Sequence, residues 1–347
     1  MSRVEWHWVE RFAAQFALCE VGPDDSVVLL SETASRPELV ETSRLALASM
    51  GIHVAQIIMD TPANRGPLPI RSTGASQALA GHRGAVAGLA EATFVADCTV
   101  EGLVHAAELG DILAAGCRVL MISNEHPENY ERLGHDLALP NQVDKAAEMM
   151  RAASQMRATS QAGTDLTVDL AGALVAGSYG FVTEPGDIAH WPGGLVLAFP
   201  KAGTTNGTVV LAPGDINLTF KEYMRSEVAL TIVDDYIVDV GGDGLDSDLF
   251  SSYLGAFGEP EAYATSHVGF GMNPAARWDV LPLWDKSQIN GTELRAFAGN
   301  FLYSTGANES AGRFCRGHFD LPMRNHTVEL DGVVVVDDGV LQSNLFA

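Results

Sequence analysis

Basic residues are scarce in this chain: 21 Lys and Arg stand against 44 Asp and Glu, a formal charge of −23. A surface of that sign repels phosphate backbones and anionic lipid, which argues against nucleic acid and the membrane as partners. Cysteine is scarcer still. Cys19, Cys98, Cys117 and Cys315 are scattered and form no Cys-x-x-Cys pair, so neither a disulfide scaffold nor a thiolate metal cage is expected. No apolar run reaches membrane-spanning length, and Met1–His7 lacks the apolar stretch of a signal peptide. Reduced thiols and no export signal point to a cytoplasmic protein. There is no Gly-x-Ser-x-Gly, hence no nucleophile elbow of a Ser-His-Asp hydrolase. Ser31-Glu32-Thr33-Ala34-Ser35 follows the first predicted strand and contains no glycine, so a backbone cradle for the pyrophosphate of NAD is missing.

What is present is ample material for a core. At 347 residues, with 47% apolar and 19% charged, two domains are expected. Residues 1–160 alternate strand and helix: a leading helix over 4–19, strands at 26–30, 54–59, 93–97 and 118–123, and helices at 37–50, 76–91 and 105–115. That order predicts a doubly wound parallel sheet with helices on both faces, serving as a Rossmann-like scaffold. A helix over 142–160 closes it. Residues 161–347 read as α+β, with short β-branched strands at 208–211, 228–233 and 236–240. Asp234-Asp235 and Asp331-Gly332 mark hairpin turns.

The chemistry gathers near the C-terminus, in Gly317-His318-Phe319-Asp320-Leu321-Pro322. In a strand, His318 and Asp320 share one face and Phe319 turns the other way into packing. An imidazole and a carboxylate side by side supply two donors of a 2-His-1-carboxylate iron site, and they also suit zinc. His267, in Ser266-His267-Val268-Gly269-Phe270-Gly271, is the candidate third donor of a mononuclear metal centre. Spacing alone also admits His326 in place of any of these. His190, before Trp191-Pro192-Gly193-Gly194, is a candidate for proton transfer at a pocket mouth, equally readable as a histidine packed in a turn. His105, at the start of a helix of the first domain, is a second.

These segments carry a resemblance. Residues 190–213, 266–271 and 318–320 resemble the thermophilic-type leucyl metallo-aminopeptidases, which hold two metals and need a glutamate just after the Pro-x-x turn. Here that place reads Gly194-Leu195, so the resemblance implies the fold without the second metal. The chain is more closely similar to the 2,5-dihydroxypyridine 5,6-dioxygenase family, through Glu184-Pro185-Gly186, His190-Trp191-Pro192, Gly214-Asp215-Ile216, Ser266–Gly271, Arg295-Ala296-Phe297, Ser304-Thr305-Gly306 and Asp320-Leu321-Pro322. That resemblance implies an aminopeptidase-like C-terminal metal-binding domain and Fe(II) held by His267, Ser304, His318 and Asp320. It implies pocket roles for His105 and His190, one acting as a base with its pKa near the working pH. The expected reaction is extradiol-type cleavage of a hydroxylated pyridine by dioxygen in nicotinate breakdown, giving an N-formyl amide. A homo-oligomer is expected as well. The family carries an acidic residue before Tyr-Gly where this chain has Ser178, which implies a pocket wall short of one carboxylate and a differently substituted ring. The competing reading is a zinc or cobalt aminopeptidase-like hydrolase.

Overall fold

The computed structural model describes residues 3–63, 75–133 and 136–347. Five parallel strands form the first sheet, in the order Val54–Met59, Val27–Glu32, Phe94–Cys98, Arg118–Ile122 and Ile188–Trp191. Its inner strands Val27–Glu32, Phe94–Cys98 and Arg118–Ile122 are buried along their whole length because both faces are covered there, while the edge strand Val54–Met59 is largely open to solvent. Val27 and Leu29 face the helices Trp6–Leu18 and Pro37–Ser49 in one core, while Val28 and Leu30 face Arg83–Ala90 and Leu109–Ala114 in another. The doubly wound N-terminal architecture is therefore present, with one addition. The expected division at residue 160 is crossed by the chain, which returns at Ile188–Trp191 to pair in parallel with Arg118–Ile122.

Three helix boundaries differ from expectation. The helix expected over 76–91 covers only Arg83–Ala90, because Gly81 sits at φ +77°, outside helical space. The one expected from His105 begins at Leu109, leaving His105 in the turn before it. The helix expected over 142–160 is Leu139–Ala152. Ala153 turns extended, and Gln155–Ser160 is a strand whose Met156 and Ala158 are buried while Gln155 and Arg157 are exposed. That alternation has the period of a strand.

The remainder is antiparallel. An eight-stranded sheet runs from Tyr236–Gly241 to Val340–Leu341 and contains both predicted hairpins. A five-stranded sheet has the order Arg313–Met323, Phe301–Asn308, Thr265–Gly271, Leu195–Phe199 and Leu174–Ser178. One core, built from Phe250, Phe270, Phe301, Tyr303 and Phe319 among others, fills the space between them. No helix among the described residues is long and apolar enough to cross a membrane.

Candidate metal centre and cavity

Three neighbouring strands at one side of the five-stranded sheet, Arg313–Met323 at its edge, Phe301–Asn308 and Thr265–Gly271, carry the expected donors. Ser304 pairs with Asp320 and Gly306 with His318 across the strands Phe301–Asn308 and Arg313–Met323. Gly306 is required here: at φ +109°, a Cβ would lie 1.9 Å from the Gly317 carbonyl. Phe319 points the other way and packs on Phe250 and Tyr253, with ring centroids 4.6 and 4.9 Å away. His267 comes from the neighbouring strand. Thr265 pairs with Thr305 but Val268 with Tyr303, so a bulge falls at Ser266-His267. An extra residue of this kind re-aims a side chain, and here the His267 imidazole meets His318.

The result is a tight triangle. His267 Nε2 lies 3.3 Å from His318 Nε2, and Asp320 Oδ1 lies 3.5 and 3.2 Å from these two nitrogens. Two donors on one ion at about 2.1 Å are separated by about 3.0 Å in octahedral and about 3.4 Å in tetrahedral geometry. The three donor atoms therefore fit a single metal ion. Two imidazoles and one carboxylate leave coordination positions open, as a facial triad does. Both Nδ1 atoms are buried without a hydrogen-bond partner among the described residues, and packing orients the rings: Phe199 edge-on against His267 at 5.3 Å, and His105 against His318 at 4.7 Å.

Asp320 is fixed from its other side. Arg295 Nε donates to Oδ2 at 2.5 Å, and Ser304 Oγ donates to Oδ1. Burial alone would raise the Asp320 carboxyl, but Arg295 and His318 outweigh it and hold the group well below the usual carboxylate range. Burial pushes His267 well below its ordinary value, so its imidazole is neutral, the form that binds a metal. His105, His267 and His318 make a looser donor set, with one nitrogen of each within 4.8 Å of the others. Burial also lowers His105, whose Nδ1 faces Glu309 Oε1 at 3.6 Å.

His190 reaches the same cavity from the first sheet, on the edge strand opposite Met121. It is a strand residue with Trp191 turned away beneath it: Trp191 packs on Phe12 and Tyr130 in the core. His190 Nδ1 lies 2.9 Å from the Pro192 carbonyl. A carbonyl only accepts, so Nδ1 carries the proton and Nε2 keeps its lone pair. Burial pulls the imidazole down to about 4, well below the value near working pH expected for a base. His326 is no part of the centre: its ring bonds Thr164 Oγ1 at 3.0 Å and the Arg324 carbonyl at 2.7 Å.

The sequence of this chain matches the 2,5-dihydroxypyridine 5,6-dioxygenase (NicX) family over residues 7–343. It is 32% identical over 338 residues to the 2,5-dihydroxypyridine 5,6-dioxygenase of Pseudomonas putida KT2440, covering 94% of this chain and 93% of the relative. The chain belongs to this family. The solved structure of 2,5-dihydroxypyridine dioxygenase from P. putida KT2440 superposes with a TM-score of 0.91 at 30% identity, covering 96% of each chain. AmpT from Thermus thermophilus shares the fold, with a TM-score of 0.64 at 14% identity over 97% of this chain and 99% of that one.

In this member of the family the cavity and the open solvent at its mouth together span about 550 Å³. Leu195, Leu197, Phe199 and Leu302 give it apolar walls, and Glu101, Asn290, Thr292 and Arg295 supply polar groups. Glu101 and Asn290 lacked any local spacing that would single them out in the sequence; Arg295 stood there only as part of a matching segment. Ser178 does not line the cavity. It ends the strand Leu174–Ser178, paired with Leu195, with its Oγ buried and without a hydrogen-bond partner among the described residues. The pocket wall expected to lack a carboxylate there is built from other residues, with Glu101 as a carboxylate on its lining.

Proposed function

We propose that the chain is an Fe(II)-dependent ring-cleaving dioxygenase of 2,5-dihydroxypyridine or a close analogue. The observation that carries this reading is the donor triangle of His267, His318 and Asp320 at the floor of a cavity whose walls suit a flat heterocycle. Bound there, iron(II) supplies the electron transfer between an electron-rich ring and dioxygen that a spin-paired organic ring cannot manage alone. The chain's own residues do the rest. The apolar pairs Leu195 and Leu197, Phe199 and Leu302 hold the ring plane and exclude water. Arg295, Asn290 and Thr292 meet its oxygen substituents.

His190 is the proton acceptor in this reading, with its lone pair on Nε2. At neutral pH it is unprotonated and ready to take the proton of a ring hydroxyl. Its low basicity is offset once the proton moves, because the oxyanion left beside it stabilises the imidazolium. His105, across the cavity, is the second candidate for returning a proton to the opened ring. The reaction balances with both oxygen atoms retained: the C5–C6 bond breaks, C5 becomes the carboxylate and C6 the formyl carbon on nitrogen. The product is an N-formyl amide. The same reading makes the enzyme cytoplasmic, homo-oligomeric and a participant in nicotinate breakdown.

Metal analysis of anaerobically purified protein, followed by oxygen uptake and ring absorbance across hydroxylated pyridines, tests the proposal. About one iron per chain and uptake with 2,5-dihydroxypyridine are expected. Hydrolysis of an amino-acid amide without oxygen uptake would instead identify the aminopeptidase-like hydrolase.

A further inference from the structure

Arg295 sits on the short helix Thr292–Ala296 of the C-terminal half, yet the backbone leading into that helix is held from the first sheet. Glu125 follows the parallel strand Arg118–Ile122 and is 1% exposed. Its carboxylate accepts from three consecutive backbone amides, Asn290 at 2.9 Å, Gly291 at 2.6 Å and Thr292 at 3.0 Å, and from Asn129 Nδ2 at 3.3 Å. Hydrogen bonds to an ionised acceptor are about twice as strong as neutral ones, and in a dry setting they fix geometry firmly. Gly291 makes the approach feasible: it stands at φ +95°, and a Cβ there would lie 2.2 Å from Leu218. Two more contacts tie the segment to the first sheet, Thr292 Oγ1 to Ser123 Oγ at 2.6 Å and the His126 amide to the Gln288 carbonyl at 3.0 Å.

Glu125 does not line the cavity, and no step of the reaction uses it. We infer that Glu125 is a positioning residue of the metal centre, acting through the 290–292 backbone to aim Arg295 at Asp320. The helix it holds carries Arg295, whose Nε orients the carboxylate that completes the donor triangle. The inference rests on the metal-centre reading above. It makes the junction of the two halves part of the site: a shift of the 290–292 backbone relative to the first sheet moves Arg295 and loosens Asp320.

The test is a double-mutant cycle in the full-length chain with Glu125→Gln, Arg295→Gln and the pair. Each protein is titrated with Co(II), read by visible absorption, and assayed for kcat and KM in oxygen uptake. Partners of this kind are worth 10- to 100-fold in metal affinity or activity. Glu125→Gln is therefore expected to weaken Co(II) binding by roughly that factor and to lower kcat more than it raises KM. The double variant is expected to match Arg295→Gln within about threefold. Losses that multiply in the double variant overturn the inference, as does a Glu125→Gln protein that melts earlier but binds Co(II) like the wild type. If Gln at 125 prevents folding, Glu125→Asp, which keeps the charge but withdraws it by one methylene, carries the same comparison. A wild type that binds no Co(II) overturns the inference and the metal reading together. A wild type that binds Co(II) but cleaves no pyridine overturns only the reaction, and the cycle still decides the role of Glu125.

Discussion

Replacing His190 with Ala separates proton transfer from metal binding. The residue is not in the donor triangle, so His190→Ala is expected to bind iron like the wild type. With the imidazole pulled down by burial to about 4, most of it is neutral at pH 5.5, where an ordinary histidine at about 6.5 is mostly protonated. In the proposed reading the imidazole is thus unprotonated throughout the neutral and mildly acidic range. Its loss is expected to lower kcat by roughly 10²–10⁴-fold across that range, the usual share of general acid–base catalysis. A stability arm checks the same pKa. The folded value is depressed, so between pH 6.5 and about 4 the unfolded chain takes up a proton that the folded chain refuses. The wild type therefore loses stability as pH falls through that window, by up to roughly 3 kcal/mol from this group. His190→Ala lacks that component, so its melting temperature should fall less between pH 7 and pH 4.5. Steady-state kinetics with iron quantified in the same samples, and thermal melts at both pH values, make the measurement. An unchanged kcat with full iron would make His190 a packing residue and move the proton-transfer role to His105.

His318→Ala and Asp320→Ala should each abolish iron binding in metal analysis while far-UV circular dichroism stays native, because the parallel sheet and its two cores do not depend on the centre. Ser304→Ala removes one hydrogen bond to an ionised carboxylate, worth about 1.5–3 kcal/mol. It should weaken metal binding by about 10- to 100-fold in a Co(II) titration, less than either charged or imidazole donor. Gly306→Ala forces a Cβ to within 1.9 Å of a backbone carbonyl at a positive φ, and a drop in melting temperature of several degrees or insoluble expression is expected.

Much of this was legible in the sequence, for physical reasons that differ by element. Val27–Glu32 and Phe94–Cys98 are apolar on both faces because helices cover both, and such runs stand out against polar loops. His318 and Asp320 could be placed on one face because the pleat of a strand has no freedom on that point. His267 was found as a residue, but its aim depends on a bulge set by the pairing of Thr265 and Val268 with a strand more than 30 residues later. Glu125 left no trace at all, since its partners are backbone amides, which any sequence provides. The strand at 188–191 was hidden for a related reason: four residues joining a sheet completed 66 positions earlier, at Ile122, carry too little periodicity to declare which sheet they join.

AmpT shares the fold at 14% identity, and in the proposed single-metal reading the walls around the triangle decide what a second ion would meet. A second ion would sit about 3.5–4 Å from the first and would need carboxylates able to bridge or neutralise it. Asp320 is already committed, one oxygen in the donor triangle and accepting from Ser304, the other accepting from Arg295. Arg295 also places a permanent cation next to any position a second ion would take on that side. Gly194 cannot be exchanged for a glutamate, because at φ +106° its Cβ would lie 2.5 Å from Asn273. The next residue, Leu195, meets the cavity with a hydrocarbon side chain, and Leu197, Phe199 and Leu302 continue that surface. An ion pays heavily to shed water against such a wall, whereas a flat heterocycle gains about 25 cal/mol for each Å² it buries there. In the proposed reading the hydrocarbon surface of Leu195, Leu197, Phe199 and Leu302 is where a ring would lie beside the metal, with the Glu101 carboxylate and the His105 imidazole on the same lining.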